Sequence, residues 1–163
     1  MPFKKSHHTS ESASIIPLDS GGHLINPKGF NIIWGNDNRY WNVKDNVAEL
    51  IQVSWLEVSC SVDVTKGKKY QIKFHVRVKP DGFGWNNTQV LVMAKVGSRG
   101  KYQFKQTTLE SNDNGLIIPS ENNLEIDVAP NAPEAKLYFG LYEVWSGKWK
   151  GGLEIFKAEV IPV

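Results

Sequence analysis

Tyr70-Gln71-Ile72-Lys73-Phe74-His75-Val76-Arg77-Val78-Lys79 decides the fold class. Apolar residues hold every even position and polar residues every odd one. A period of two means a strand with one buried and one solvated face. Thr65-Lys66-Gly67-Lys68-Lys69 is the turn that feeds it. Upstream, Leu56, Val58, Cys60, Val62 and Val64 alternate with Glu57, Ser59, Ser61 and Asp63. Downstream, Leu124, Ile126 and Val128 alternate with Glu125 and Asp127, and Leu137, Phe139 and Leu141 with Tyr138, Gly140 and Tyr142. Residues 89–96 are apolar on both parities, as in the middle of a sandwich, and residues 153–161 make a last strand. Gly and Pro turns separate these runs, and helical periodicity is almost absent. The pattern predicts an all-β, antiparallel β-sandwich of jelly-roll type.

At 163 residues the chain is one domain, long enough to bury a core without disulfides or metal. Its 40% hydrophobic and 22% charged residues are ordinary for a soluble protein. The net charge of +2 is below that usual for nucleic-acid binders. Cys60, the single cysteine, excludes an intramolecular disulfide and sits on the apolar parity of its strand, as an inert buried thiol would. The start, Met1-Pro2-Phe3-Lys4-Lys5, carries no apolar leader core, and no stretch is apolar enough to span a membrane, so a cytoplasmic protein is expected. Residues 1–24 read as a flexible tail, rich in Ser, His, Thr and Gly, with one apolar island at Ile15-Ile16-Pro17-Leu18. Adjacent His7 and His8 belong to that composition, since no further ligand is spaced to join them at a metal. The domain proper is residues 25–163. Residues 44–52 read as a helical turn or an irregular connection.

Six tryptophans are many for this length. In residues 30–41, Phe30, Ile32 and Trp34 read as a strand, Gly35-Asn36-Asp37-Asn38 breaks it, and Arg39-Tyr40-Trp41 follows. In residues 143–152, Trp145 and Trp149 flank a Gly turn beside Glu143, Lys148 and Lys150. Should the two loops meet at one end of the sandwich, they supply stacking faces, a carboxylate acceptor and ammonium donors. That set suits a ring that is apolar on one face and hydroxylated at its edge, which is a sugar. Pattern alone places Trp34 and Trp55 in the core and Trp85 as a cap. It leaves Trp41, Trp145 and Trp149 open between core and binding. No nucleophile elbow, zinc-protease helix or phosphate loop is present. Lys66, Lys68, Lys69, Lys73, Arg77 and Lys79 read as a solvated outer face, the sharper alternative being a salt-sensitive polyanion surface.

Ile33-Trp34…Tyr40-Trp41, Ala48-Glu49-Leu50 and Val53-Ser54-Trp55-Leu56-Glu57-Val58 closely resemble the phloem protein 2 family, the Nictaba-like plant lectins. The ending Leu141-Tyr142-Glu143…Lys148-Trp149-Lys150-Gly151-Gly152-Leu153, closing at Val160-Ile161-Pro162, resembles the same family. The likeness covers about residues 25–163. It implies a non-enzymatic β-sandwich lectin for N-acetylglucosamine oligomers and the chitobiose core of N-glycans, with no metal or other cofactor. It further implies a homodimer, residence in cytoplasm or phloem sap, and a role in defence or phloem transport. The family's binding tryptophans map onto Trp34 and Trp41, and its site carboxylate onto Glu143. The expected site is therefore Trp34, Trp41 and Trp149 stacking on sugar rings and Glu143 accepting from hydroxyls. Lys148 or Asn36 meets the acetamide or ring oxygens. The alternatives are an RNA- or protein-binding adaptor using the Lys66–Lys79 face, and a glycan hydrolase.

Overall fold

The computed structural model describes residues 6–111, 115–120 and 122–163. In chain order the strands among them are β1 (Ile15–Pro17), β2 (His23–Ile25), β3 (Asn31–Ile32), β4 (Trp41–Val43), β5 (Ala48–Leu50), β6 (Leu56–Asp63), β7 (Lys69–Phe83), β8 (Gln89–Val96), β9 (Gln103–Thr108), β10 (Leu116–Ile118), β11 (Leu124–Asp127), β12 (Lys136–Glu143) and β13 (Gly151–Pro162). They make two antiparallel sheets, as the alternation predicted. One holds β3, β6, β12, β8 and β9 in that order. In the other, β13 runs beside β7, with register shifts between Gly151 and Leu153 and between Ile155 and Lys157. The second edge of β13 carries β2 and β5, extended by β1 and β4, and the far edge of β7 carries β10 and β11.

The apolar parities face each other. Val58, Cys60 and Val62 of β6, Leu137, Phe139 and Leu141 of β12, and Val90, Val92 and Ala94 of β8 are buried against Ile72, Phe74, Val76 and Val78 of β7 and Leu153, Ile155 and Val160 of β13. Phe74 joins the sheets, with its ring 5.7 Å from that of Phe30 and 6.0 Å from that of Phe139. Each such Val, Leu, Ile or Phe side chain contributes about 1.5–3 kcal/mol through removal from water. Cys60 is buried among them, and burial pushes its thiol up to about 12.

Three expectations need correction. Residues 44–52 are neither helical nor irregular throughout, because Trp41 pairs with Leu50 and Val43 with Ala48 in a β4–β5 hairpin. The Lys44 N–H bonds to the Val47 carbonyl at 2.8 Å across its turn. Residues 6–24 are not a loose tail. The Ile15-Ile16 island becomes β1, which pairs with β2, and β2 pairs with β13. The Lys66–Lys79 face is not of one sign. Arg77 Nη1 bonds to Glu154 at 2.7 Å, His75 bonds to Glu159, and Lys73 lies opposite Glu159. The acids come from β13, far along the chain, so β7 read alone suggested a basic stripe.

Candidate functional site

Between β3 and β4 the chain turns through residues 33–40. The Asp37 N–H bonds to the Trp34 carbonyl at 3.0 Å, and the Tyr40 and Trp41 N–H groups bond to the Asp37 carbonyl at 2.9 and 3.0 Å. The Asp37 carboxylate accepts the Arg39 backbone N–H at 3.0 Å and its guanidinium twice, at 3.0 and 2.7 Å. So fixed, Arg39 lies 5.1 Å over the Tyr40 ring. Trp34 has φ 65, in the left-handed region, and such backbone costs a non-glycine residue about 1–3 kcal/mol. Backbone strain of this kind concentrates where a fold holds a side chain for use.

The turn places Trp34 and Tyr40 on a shallow hollow of about 190 Å³, closed by Val53, Ser54, Trp55 and Trp149. The tryptophans are open to solvent: Trp34 is 39%, Trp55 46% and Trp149 53% exposed. Trp34 meets Tyr40 edge-on, centroids 5.8 Å apart at 63°, and Tyr40 meets Trp149 at 6.4 Å and 33°. Rings thus form a curved wall rather than one flat platform. Trp55 Nε1 donates to Glu57 Oε1 at 3.0 Å, so a carboxylate stands beside one of the lining rings. Larger hollows lie at Gln89, Gln106 and Glu110 (480 Å³) and at Val96–Gly100 with Glu134 (610 Å³), but no aromatic ring lines either.

Beneath the wall lies a buried ion pair. Glu143, 3% exposed, meets Lys150, 0% exposed, at 2.8 Å. Lys150 Nζ also donates to the Ser54 carbonyl at 2.8 Å and the Lys148 carbonyl at 3.0 Å. Ser146 donates to Glu143 through its hydroxyl at 2.5 Å and its N–H at 3.3 Å. Burial alone would push the Glu143 carboxyl up, but hydrogen bonds from Lys150 and Ser146 and the Lys150 charge outweigh it, and the net direction is down. The pair ties residues 144–150, which carry Trp149, to the Val53–Ser54 wall. Paired N–H to carbonyl bonds at 2.9 Å between Val53 and Lys150 reinforce it. A Cβ on Gly151 would run into the Ile51 carbonyl, so only glycine lets β13 start this close to that wall.

Among the expected residues, Trp34 and Trp149 come together on the hollow. Trp41 does not. It is 1% exposed, in the core beneath β4, and its indole has no open face. Glu143 is at the base of the site with its carboxylate occupied, so it acts on Trp149 rather than at the surface. Lys148 turns away, its ammonium donating to the Asn86 carbonyl at 3.0 Å and to Thr88 Oγ1 at 2.7 Å. Asn36 donates its side-chain amide to the His7 carbonyl at 3.0 Å. Trp145 is exposed but lies outside the lining. Trp85 caps the sandwich as expected, buried, with Nε1 donating to the Gly151 carbonyl at 2.9 Å. Tyr40 and Trp55 are the lining rings that sequence reasoning missed. For Trp55 the signal was present: it breaks parity with Leu56, and such a break marks a residue turned out of the core.

Residues 22–162 match the family model for Phloem protein 2. The chain belongs to the phloem protein 2 family. It is 40% identical to Protein PHLOEM PROTEIN 2-LIKE A9 of Arabidopsis thaliana, over 96% of each chain. It is 24% identical to PHLOEM PROTEIN 2-LIKE A1 of the same plant, over 88% of this chain and 63% of that one. Among solved structures, a CBM4 module superposes with TM-score 0.53 at 10% identity, covering 96% of this chain and 94% of the module. The Podospora anserina GH26-CBM35 β-(1,4)-mannanase superposes with TM-score 0.50 at 8% identity, covering 88% of this chain and 28% of the enzyme. At such identities the likeness bears on the sandwich alone. Among the described residues of this phloem protein 2 chain, no helix is long and apolar enough to cross a membrane, and no three His, Cys, Asp or Glu residues are grouped to hold a metal.

Proposed function

We propose that the protein is a non-catalytic lectin whose aromatic hollow takes N-acetylglucosamine oligomers and the chitobiose core of N-glycans. The observation that carries this reading is the gathering of Trp34, Tyr40, Trp55 and Trp149 around one open hollow at the loop end of the sandwich. Ring C–H groups of a pyranose lie against indole faces, and its equatorial oxygens reach the polar rim. Glu57 takes the acceptor role expected of Glu143, since it stands at the surface beside Trp55. Membership of the phloem protein 2 family supports the choice of ligand class.

The hollow is smaller than the roughly 300–1,000 Å³ of a drug-sized site, so it holds one sugar ring firmly and its neighbours loosely. Affinity at one such site is weak, and a homodimer presenting two sites raises it through effective concentration. The phloem stream, or the cytoplasm of cells that serve it, is the proposed place of action. Glycoside hydrolysis needs two free carboxylates at a set separation. Here Glu57 stands at the rim while Glu143 is held in its ion pair.

Calorimetric titration with chitotriose, with cellotriose as the control lacking acetamides, tests the reading. Saturable heat with chitotriose and none with cellotriose is expected, and chitotetraose should survive prolonged incubation intact. A folded protein that gives no heat with chito-oligosaccharides at millimolar concentration would refute the assignment.

A further inference from the structure

The segment Ser6 to Glu11 lies beside β3 as an added strand. His8 and Ile32 exchange N–H to carbonyl bonds, both at 2.9 Å. Ser10 N–H bonds to Asn31 Oδ1 at 2.9 Å, Ser10 Oγ to the Gly29 carbonyl at 2.5 Å, and Glu11 N–H to the Lys28 carbonyl at 2.9 Å. His8 Nδ1 donates to the Phe30 carbonyl at 2.8 Å. The segment then reaches the turn that carries Trp34. Asn36 N–H bonds to the Ser6 carbonyl at 3.0 Å. A Cβ on Gly35 would stand 2.6 Å from the His8 Cβ, so glycine is what admits this approach. The Trp34 N–H donates to His7 Nδ1 at 2.9 Å, and the His7 ring meets the Trp34 indole edge-on at 5.4 Å and 69°.

We propose that His7 is a positioning residue of the aromatic site: by accepting the Trp34 N–H it holds Trp34 in its left-handed conformation, with the indole on the rim of the hollow. This rests on the lectin reading above. Left-handed backbone at a bulky residue persists only where its surroundings over-determine it. Here those surroundings are a bond to the strained residue's own N–H and a ring against its side chain. The bond also fixes a tautomer. With Nδ1 as acceptor, the neutral imidazole carries its proton on Nε2, a donor beside the indole for a hydroxyl or acetamide oxygen.

The test uses the full chain and three variants, His7→Ala, His7→Asn and His7→Phe. Asparagine restores an acceptor near the place of Nδ1 without a titrating ring, and phenylalanine keeps a ring without an acceptor. Amide-exchange protection of Trp34, read by NMR, should be high in wild type and in H7N and low in H7A and H7F. Chitotriose affinity should fall about fivefold in H7A and H7F, the worth of one hydrogen bond, and stay within about twofold in H7N. Equal protection and affinity in H7A and wild type would overturn the proposal. Protection that follows His7 in a protein that binds no chitotriose would uphold the hold on Trp34 and sink the sugar reading. Should the variants fold poorly, amide exchange in the wild type decides alone, and a Trp34 N–H that exchanges as fast as an unbonded amide is the negative result.

Discussion

Replacing Trp41 and Trp34 by alanine, one at a time, separates the two roles that the sequence could not. Trp41 is 1% exposed and packs in the core under β4. Its removal leaves a cavity, and large aromatic to alanine changes in cores cost about 3–5 kcal/mol. For a chain of this size roughly 2–4 °C is lost per kcal/mol, so Trp41→Ala should lower Tm by roughly 6–20 °C. Trp34 is 39% exposed and contributes one face to the hollow. A stacked indole face is about a third of the 150–250 Å² that an aromatic side chain buries. At about 25 cal/mol per Å², that face is worth ~1.5–2 kcal/mol of binding. Trp34→Ala should therefore weaken chitotriose binding at least about tenfold while Tm moves little. Calorimetry with chitotriose and thermal unfolding followed by circular dichroism read the two quantities on the same samples. If Trp41→Ala leaves Tm in place and abolishes binding, or Trp34→Ala lowers Tm and spares binding, the placement of the two rings is wrong.

Glu143→Ala leaves Lys150 charged and unpaired at 0% exposure, so unfolding by urea should show a loss of about 3–5 kcal/mol. Because the Glu143 carboxyl is held below its ordinary value, its contribution is present above the ordinary value of 4.5 and fades as pH falls below it; the gap in stability between wild type and E143Q should close as acid is added. Glu57→Gln removes the rim carboxylate and should weaken chitotriose binding by about fivefold in the same titration, with Tm unchanged. Lys148→Ala should leave chitotriose affinity within about twofold, since its ammonium serves the Asn86–Thr88 turn, and a larger loss would place it on the ligand. Chitotriose affinity should barely change between about 0.05 and 0.5 M salt, whereas a collapse over that range would revive the polyanion reading.

The long strands were legible because strict period-two alternation, sustained as in β6, β7 and β12, matches neither the 3.6-residue period of a helix nor the polar run of a loop. Short strands were less so. Ala48–Leu50 holds three residues, too few to establish a period. Its identity as a strand comes from pairing with Trp41–Val43 on one side and β13 on the other. The site was half legible. That aromatic rings would meet at a loop end followed from where tryptophans stand beside Gly and Asn. Which rings would be open did not, because facing is set at chain reversals, where parity resets. Trp34 and Trp41 bracket one such reversal, and the strand that seemed to carry Trp34 inward stops at Ile32. Trp55 sits at another. The pairing of Glu143 with Lys150 was hidden for a different reason. They stand at opposite ends of a loop and meet only when both ends close, and no local pattern reports that closure.

The buried ion pair and the strained tryptophan belong to one physical problem, which is how to hold bulky rings open to water. An exposed indole gains no burial energy from facing solvent, and a free loop would fold it onto the nearest apolar surface. The fold opposes this from beneath and from the side. Lys150 gives up hydration for bonds to Glu143, Ser54 and Lys148, and in doing so pins the loop that carries Trp149 against the wall that carries Trp55. Burying charge is a poor source of stability, since apolar packing of equal volume does as well, but its directional bonds specify one loop geometry. Across the hollow, the turn around Trp34 takes bonds from the segment Ser6 to Glu11 as well as from its own Asp37–Arg39 pair. Preorganisation is the common result: ring orientation is settled before a sugar arrives, and the ordering cost is met by the fold rather than subtracted from the affinity.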